Sequence, residues 1–425
     1  MNAHDTEIPA VRGRVLYVSY DGALEALGES QVVAYIERLA DRCDITLLSF
    51  EKPVHLSRPD DVARMRERLA VSGIRWMPLR YHKRPPILST GYDVLRGFAR
   101  ALAWGLSGPR GIVHARSYVP ALIALWLKKC LGAGFLFDMR GFWVDERVDG
   151  GHWAGTGPLY RMAKRCERQF FERADAIVSL THEGVRAFPA LGYDVPRATP
   201  IEVIPTCTDL GRFAPGPKNA ALVSRLGLSG RRVIGTIGTL SNWYLRDETL
   251  RGFAQLARRM PDVTILMVTN EDHDRLRLDA AAAGLPLERL TLVSAAFSDM
   301  PDYVRLIDLG LFFIKPRFSK KGTSATKLGE FLACGIPVVI NEGVGDSDRI
   351  IRDSRAGLVV SNPPAAGLEA SLAEVERLLA DSGVTHRCRE AATRYFNVED
   401  GAARYARLYE GLLAAAGGHR VASVR

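Results

Sequence analysis

The chain has 425 residues, of which 47% are apolar and 25% charged, and its formal net charge is +9. This length suits two domains, and the composition argues against a disordered chain or a fibre. The basic residues are scattered and no nucleic-acid-binding signature occurs, so we expect no nucleic acid partner. A phosphate-bearing ligand or an anionic membrane surface fits the positive charge better.

Six cysteines are spread along the chain without a Cys-x-x-Cys pair, so neither a zinc site nor a disulfide framework is implied. The N-terminal segment MNAHDTEIPAVRGR lacks the apolar core of a signal peptide. The most apolar stretch, 118–127, is about half as long as a membrane span. We therefore expect a cytoplasmic protein whose membrane contact, if it has one, is peripheral and at the inner face of the cell membrane.

Short apolar strands alternate with amphipathic helices along the whole chain, as in doubly wound parallel sheets. In the first half, the pattern predicts strands at 14–19, 44–50, 111–114, 135–138, 175–180 and 202–205, and helices at 31–41, 120–129 and 160–174. In the second half, it predicts strands at 232–237, 263–268, 290–293, 309–314, 337–340 and 357–360, and helices at 324–334 and 398–415.

The fold class predicted by this alternation is α/β, with two Rossmann-like domains. Residues 196–217, rich in Pro and Thr, have the composition of an interdomain linker. We place the first domain at 1–200 and the second at 201–399, with the helix at 400–418 packing back on the first. In this architecture ligands bind at the carboxyl ends of the strands, so a cleft between the domains is expected.

The segment 320–340 carries the most informative pattern. A loop of small residues from Gly322 to Thr326 leads into a helix, where free backbone N–H groups and the helix dipole attract phosphate. Ser324 and Thr326 add hydroxyl donors, and Lys327 adds a positive charge. Glu330, one turn further, could accept two hydrogen bonds from a ribose diol. The alternative is an ordinary capped helix with a Glu and a Lys at the surface.

From Thr326 to Val339 the sequence TKLGEFLACGIPVV resembles the donor-site segment of glycosyltransferase family 4, the large retaining group with the GT-B fold. In the same order as in that family, 20–31 resembles its N-terminal glycine loop, 137–146 its acceptor-side strand and loop, and 204–209 the short motif before the second domain. The resemblance therefore covers most of the chain.

What the resemblance implies is a sugar transfer from a nucleotide-diphosphate-sugar to a hydroxyl of a glycan or lipid-linked acceptor, with retention, in polysaccharide or glycoconjugate biosynthesis. The first domain would bind the acceptor and the second the donor, whose ribose Glu330 would hold. The donor is a co-substrate, and we expect neither a cofactor nor a required metal.

Two departures from the family concern the donor site. The family often has two Glu residues eight apart, and the earlier one, associated with the transferred sugar, is Gly322 here. The Arg and Lys that often hold the diphosphate correspond to Thr239 and Tyr244. The candidate replacements for that clamp are Thr239, Asn242, Arg246 and Lys327.

A third departure concerns the acceptor side, where Arg140 stands in place of the family's frequent active-site His. Arg is a poor general base but a good clamp for phosphate or carboxylate. The catalytic candidates are Asp138, Arg140 and Glu146. An inverting transfer would need one carboxylate as base, whereas a retaining one needs stabilisation of the departing diphosphate. The alternative is a solvated charged loop.

Other positions at predicted strand ends and loops complete the candidate site. The acceptor-binding candidates are His114, Arg116 and Trp143. Gly28 is the donor-binding candidate of the first loop, because without a Cβ its backbone can approach a phosphate. A structural His and a plain turn glycine are the respective alternatives. His273 lies near acidic residues, but their spacing is not that of a metal site.

Three other functions remain open on the sequence. A nucleotide-sugar epimerase shares the two-domain architecture, but the acceptor-side segment argues against it. A nicotinamide-dependent oxidoreductase would need a Gly-x-Gly-x-x-Gly turn after a first strand, and neither half has one. A non-catalytic membrane or scaffold protein would use a basic patch such as Lys83 and Arg84, which we interpret instead as a membrane contact of an enzyme.

Overall fold

The computed structural model describes residues 13–418, with side chains described as far as residue 415. The expectation about a signal peptide rests largely on residues 1–12, which lie outside the described residues. The chain forms two α/β domains, each built on a parallel sheet with helices on both faces.

The first sheet has seven parallel strands in the order β3-β2-β1-β4-β5-β6-β7. Its strands are β1 (Arg14–Ser19), β2 (Asp44–Glu51), β3 (Arg75–Arg80), β4 (Ile112–Arg116), β5 (Gly134–Asp138), β6 (Ala176–Ser179) and β7 (Ile201–Val203). The helices are α1 (Ala26–Gly28), α2 (Ala34–Leu39), α3 (Pro53–Leu56), α4 (Pro59–Val71), α5 (Pro86–Leu106), α6 (Tyr118–Leu131), α7 (Trp143–Asp149), α8 (Pro158–Arg173) and α9 (His182–Leu191).

The second sheet has six parallel strands in the order β10-β9-β8-β11-β12-β13. Its strands are β8 (Arg232–Ile237), β9 (Val263–Val268), β10 (Leu290–Val293), β11 (Leu309–Leu311), β12 (Val338–Asn341) and β13 (Gly357–Val360). The helices are α10 (Ala220–Arg225), α11 (Arg246–Arg259), α12 (His273–Ala282), α13 (Met300–Arg305), α14 (Thr326–Ala333), α15 (Ser347–Ser354), α16 (Pro364–Ala370), α17 (Leu372–Ala380), α18 (Val384–Phe396) and α19 (Val398–Gly418).

The predicted two-domain α/β fold is confirmed, because both sheets are parallel and both have the doubly wound strand order. The pattern missed β3, whose Pro78 lies in register with Ser49. Since β3 is the edge strand of the first sheet, a residue without an N–H is tolerated there. The segment 20–31, which resembles a glycine loop in sequence, contains α1 and the start of a π-helical turn, Glu29–Val33.

The division between the domains lies later than residue 200. Strand β7 pairs with β6 in the first sheet, although it begins at Ile201, which the sequence assigned to the second domain. The last helix, α19, contacts α2, β4 and β5 and so lies against the first sheet. Its Tyr405 and Tyr409 are buried in a core shared with β1 and α2. Two side chains from the end of the chain therefore lie beneath the carboxyl ends of the central strands.

Candidate active site

The donor-side candidate residues lie at the start of α14. Ala325 precedes the helix and provides no side-chain cap, so the first N–H groups of α14 have no side-chain partner at that position. Glu330 is 8% exposed, and no described group forms a hydrogen bond with its carboxylate. Burial raises the pKa of Glu330 to about 7, against the opposing effect of the positive charge of Lys327. The oxygens of Glu330 are not among the fully enclosed side-chain atoms without a partner, so the carboxylate keeps some contact with solvent and is accessible to a ligand.

Lys327 is held away from open solvent by the loop after β8. Its Nζ donates a hydrogen bond to the backbone oxygen of Thr239 at 2.9 Å and lies 3.8 Å from the centre of the Tyr244 ring. Burial lowers its pKa to about 7. Tyr244, which stands where the related family often has a clamp residue, therefore supports the lysine through a cation–π contact.

The loop after β8 already holds an anionic group of the protein. The carboxylate of Glu271 accepts hydrogen bonds from the backbone N–H groups of Leu240 and Ser241 at 3.3 and 3.0 Å, and from the hydroxyl of Thr239. Arg246 pairs with Glu271 at 3.1 Å and with Asp279 at 3.0 Å. Glu271 was not among the residues predicted from the sequence, although its position just after the neighbouring strand β9 was a usable signal.

These contacts affect the candidates for a diphosphate clamp. Thr239 and Arg246 are engaged with Glu271, so either could bind a phosphate only by exchanging partners. Asn242 is exposed and has a left-handed backbone conformation, with φ of 61°. Ser324 lies at the linker, where its hydroxyl is 2.9 Å from that of Thr206.

On the acceptor side, the structure brings His114, Asp138 and Arg140 together in a buried cluster. His114 is fully buried, with Nδ1 2.6 Å from the hydroxyl of Tyr409 and Nε2 3.5 Å from Asp138. The hydroxyl of Tyr405 donates to Asp138 at 3.1 Å. His114 therefore has partners within the protein for both ring nitrogens, and its side chain does not reach the cleft surface.

Charges within this cluster determine its protonation. Burial lowers the pKa of His114, which favours the neutral ring. Burial alone would raise the pKa of Asp138, but Arg140 and His114 hold it below its ordinary value. Asp138 is 1% exposed, and its Oδ1 is a buried atom without a hydrogen-bond partner. Arg140 adopts a left-handed conformation, with φ of 55°, and donates a hydrogen bond to Gln31 at 3.3 Å. A general base within this cluster would have little access to solvent. The cluster is therefore better suited to positioning neighbouring side chains.

The remaining acceptor-side candidates lie around this cluster. Arg116 is 4% exposed and lies 3.6 Å from Asp21 in the first loop. Trp143 stacks on Tyr118 with ring centres 5.8 Å apart, and the guanidinium of Arg147 lies 4.8 Å from its ring centre. Trp143 is thus half-buried by contacts within its own domain.

Gly28 is required by packing within the first loop. A Cβ at this position would lie 1.8 Å from the carbonyl oxygen of Gly22. The same loop is held by the buried Glu51, whose carboxylate accepts hydrogen bonds from the N–H groups of Ala23 and Leu24 at 2.8 and 3.2 Å. The close approach that needs a glycine is therefore to the loop's own backbone.

Glu146 connects the two domains. Its Oε1 lies 2.6 Å from the Nζ of Lys320, which is 2% exposed and 3.7 Å from the centre of the Trp243 ring. One turn further along α7, Asp149 accepts a hydrogen bond from the N–H of Ser319 at 3.1 Å. The structure therefore places this catalytic candidate in an interdomain ion pair, which local sequence could not indicate.

Gly322 lies in the same interdomain contact. A Cβ there would be 3.1 Å from the Cα of Gly141 and 3.2 Å from the Phe142 ring, and the Cα of Gly322 lies 3.2 Å from the Cβ position of Gly184. A side chain at this position would require the facing backbone or the Phe142 ring to shift by a few tenths of an ångström. The departure from the paired-Glu pattern is thus accompanied by a close contact between backbones.

The side chains that usually bind metal ions do not cluster near these residues. Within 13–418, no group of three or more His, Cys, Asp or Glu side chains is arranged to hold an ion. His273 lies at the start of α12, where its Nε2 is 3.0 Å from the backbone oxygen of Thr269.

Comparison with known proteins agrees with this architecture. Residues 28–207 match the family model of the glycosyl transferase 4-like domain, and residues 231–381 match that of the glycosyl transferases group 1. The chain is also similar in fold to sucrose-phosphate synthase from Thermosynechococcus elongatus, with a TM-score of 0.71 and 16% identity over 95% of this chain and 100% of that one.

Two curated relatives are similar in sequence. A GDP-mannose-dependent alpha-(1-6)-phosphatidylinositol monomannoside mannosyltransferase of Mycolicibacterium smegmatis is 27% identical over 43% of this chain and 47% of its own length. A D-inositol 3-phosphate glycosyltransferase of Nocardia farcinica is 29% identical over 50% of this chain and 48% of its own. The chain thus spans about half the length of each relative. The two family models, which cover most of the chain, and the two facing parallel-sheet domains identify the protein as a member of the glycosyltransferases with the GT-B fold.

Proposed function

We propose that the protein transfers a sugar from a nucleotide-diphosphate-sugar to a hydroxyl of a glycan or lipid-linked acceptor, with retention of configuration. The observation that carries the proposal is the buried carboxylate of Glu330, which has no hydrogen-bond partner among the described residues. It lies one turn inside a helix whose first N–H groups lack a side-chain cap. A ribose diol at the carboxylate and a phosphate at the helix start would satisfy both.

The diphosphate would be held mainly by backbone N–H groups and by Lys327. Arg246 could contribute if its ion pairs with Glu271 and Asp279 opened on donor binding. Because no free Arg–Lys pair stands at this site, the departing diphosphate would be stabilised by dipoles more than by full charges. Asp138 and Arg140 would contribute from the first domain, where their charges would determine the electrostatic environment of the bound acceptor.

A nucleotide-sugar panel tests this function. Incubation of the protein with each donor and release of nucleoside diphosphate would be measured, with Glu330→Gln as the site variant. We expect one donor class to bind and Glu330→Gln to weaken that binding about ten-fold or more, because a charge-assisted hydrogen bond contributes about 1.5–3 kcal/mol. Glu67→Gln, on the exposed face of α4, is the matched control.

Two results would contradict the proposal. Absence of binding and turnover with every donor would refute the proposed transferase function. An isomerised sugar formed without any acceptor would indicate an epimerase on the same architecture.

We also propose that an anionic membrane is the surface from which the acceptor is reached. The helix α5 exposes Ile87, Leu88, Tyr92 and Leu95, which are 57%, 73%, 53% and 60% exposed. These side chains lie on one face of its first half, and we call this face the α5 surface. Exposed apolar residues that cluster in this way are a feature of interaction sites.

Charge on the α5 surface favours a membrane as the partner. Lys83 and Arg84 are exposed just before the helix, and Arg100 is exposed further along it. The sole carboxylate between residues 81 and 110, Asp93, is buried and bonded to His82. Apolar side chains flanked by cations and free of carboxylates match the boundary of an anionic bilayer. Among residues 13–418, no helix is both long enough and apolar enough to cross a bilayer.

Vesicle flotation tests the membrane proposal. We expect binding to phosphatidylcholine vesicles that contain phosphatidylglycerol and much weaker binding to phosphatidylcholine alone. Leu88→Glu with Leu95→Glu should abolish binding, whereas Leu278→Glu, at an equally exposed leucine of α12, should not. Binding that survives both substitutions on α5, or that is equal for the two lipid compositions, would refute it.

A further inference from the structure

A cavity of about 380 Å³ lies between the domains beside the linker, and we call it the hinge cavity. Its walls come from the end of β6, the linker at Pro205, the segment before α14, the start of α15, the end of α18 and α19. Ser324 is the one candidate site residue that lines it, and neither Glu330 nor Asp138 does. The hinge cavity is therefore a space of its own, next to the candidate active site.

Three arginines line the hinge cavity: Arg349, Arg394 and Arg404. The Nε of Arg349 is buried without a hydrogen-bond partner, its Nη2 lies 3.4 Å from Asp346, and its Nη1 lies 3.7 Å from Asp353. Arg394 is exposed toward the cavity and forms no ion pair among the described residues; its guanidinium lies 5.2 Å from the Tyr395 ring centre. Two guanidinium groups thus retain unused donors.

The arginine of α19 is anchored in the first domain. Arg404 donates a hydrogen bond to the backbone oxygen of Val203 at 2.8 Å and lies 3.5 Å from Glu202, both on β7. Arg349 and Arg394 belong to helices of the second domain. An anion in the hinge cavity would therefore meet positive charge from both domains at once.

Asp346 is the only carboxylate that lines the cavity, and its charge is already used. Its oxygens accept hydrogen bonds from the N–H groups of His182 and Glu183 at 2.8 and 3.0 Å, at the start of α9 in the first domain. This is an interdomain cap, in which one domain supplies the anion for a helix start of the other. Outside the lining, Asp353 lies 3.7 Å from Arg349 and Glu202 lies 3.5 Å from Arg404, so Arg394 is the lining guanidinium that has no ion pair among the described residues.

We propose that the hinge cavity binds a small phosphate-bearing ligand, and that this ligand holds the two domains in the arrangement seen here. Arginine is suited to phosphate because its planar fork donates two parallel hydrogen bonds. The hydroxyls of Thr323 and Ser347 line the same space and are further donors. Its volume accommodates a group the size of a sugar phosphate, and apolar walls from Tyr395 and Ile350 suit the face of a sugar ring.

The predicted consequence is a change in domain closure. The cavity adjoins two contacts between the domains. One is that of Asp346 with the first N–H groups of α9, and the other is that of Ser324 with Thr206 in the linker. An anion bound to Arg349 and Arg404 would resist opening of the domains, since separation would remove one set of its donors. A metabolite of this chemistry would then regulate how readily the cleft opens for substrates.

Calorimetric titration of the full chain with inorganic phosphate and with a hexose 6-phosphate tests the site, against chloride at equal ionic strength. The cavity variant is Arg349→Gln with Arg394→Gln, and the matched control is Arg352→Gln, on the same helix but outside the cavity. We expect the cavity variant to weaken phosphate binding about ten-fold or more and the control to leave it unchanged.

Amide hydrogen exchange is the second measurement. On phosphate binding, exchange at residues 182–185 should slow, because opening of the Asp346 contact is suppressed. Binding without that protection would refute the effect on closure. Absence of phosphate binding, or equal weakening by the cavity variant and by Arg352→Gln, would refute the site.

Phosphate binding in the hinge cavity does not depend on the proposed transfer activity. Phosphate binding that Glu330→Gln abolishes and the cavity variant preserves would place the anion at α14 and overturn it. Loss of turnover with every nucleotide sugar, combined with intact phosphate binding in the hinge cavity, would contradict the proposed function alone.

Discussion

Replacement of Glu330 by Gln is expected to stabilise the protein at alkaline pH while it weakens donor binding. Burial raises the pKa of this carboxyl group from 4.5 to about 7, so its ionised form destabilises the folded state. A difference of this size corresponds to roughly 3 kcal/mol, because each tenfold change in proton affinity equals about 1.4 kcal/mol. Burial of the glutamine amide without a partner offsets part of the gain, whereas Lys327, whose pKa burial lowers to about 7, is largely neutral at alkaline pH. We expect a net gain of about 1–2 kcal/mol.

The dependence on pH follows from the direction of the pKa change. Below pH 4.5 the carboxyl group is protonated in the folded and the unfolded chain, and its ionisation costs nothing. Between pH 4.5 and about 7 the unfolded chain ionises first, so stability is lost progressively as the pH rises. Above pH 7 the full loss persists, and Glu330→Gln should remove it there.

Scanning calorimetry at pH 5 and pH 9 measures this effect. At pH 9 the second domain of the variant should unfold about 3–6 °C higher than that of the wild type, and at pH 5 less than a third of that gain should remain. Glu67→Gln should change neither transition appreciably, as is usual for an exposed site. A lower transition temperature at pH 9, or equal gains at both pH values, would show that the carboxylate is not held at a cost to stability. The proposal that the buried carboxylate of Glu330 serves donor binding would then be refuted.

Four further substitutions, at two glycines and in one ion pair, test the packing and the domain contact. Gly28→Ala should destabilise the first domain by about 3 kcal/mol in urea unfolding, because its Cβ would overlap the Gly22 carbonyl; a cost below about 1 kcal/mol would contradict the reported packing. Gly322→Glu should reduce donor turnover, because even its Cβ would press against Gly141 and the Phe142 ring across the domain contact, whereas higher turnover would show that the family's carboxylate fits here. Lys320→Met with Glu146→Gln should show a coupling of about 2 kcal/mol in a double-mutant cycle of thermal unfolding, and purely additive effects would refute a functioning ion pair.

Strand positions could be read from the sequence because local composition decides them. Apolar and β-branched runs such as 14–19, 232–237 and 263–268 predicted strands that the structure has with the same bounds. Their alternation with helices was sufficient to predict parallel sheets, since such strands must be buried on both faces. The edge strand β3 escaped because Pro78 weakens the pattern where pairing is one-sided.

The segment that we propose binds the donor could also be predicted from the sequence, because its residues are neighbours in the chain. Glu330, Lys327 and the small residues before α14 lie within one loop and two helical turns. What the sequence could not supply was the state of these side chains. Burial of Glu330, the contact of Lys327 with Tyr244 and the carboxylate of Glu271 in the neighbouring loop all depend on how separate strands meet.

Only the tertiary structure decided the acceptor side. The local pattern predicted His114 at the end of a strand, but it lies within β4, and Tyr409, 295 residues later, accounts for its burial and its hydrogen bond. Glu146 pairs with Lys320 only because the two domains are in contact. A side chain at position 322 would lack space only because Gly141 lies opposite. Desolvation and ion pairing act through distances in space, whereas a strand or a helix is specified by residues a few positions apart. The sequence by itself therefore determined the fold and predicted the segment that we propose holds the donor, whereas contacts between residues distant in the chain determined which charged groups already have partners.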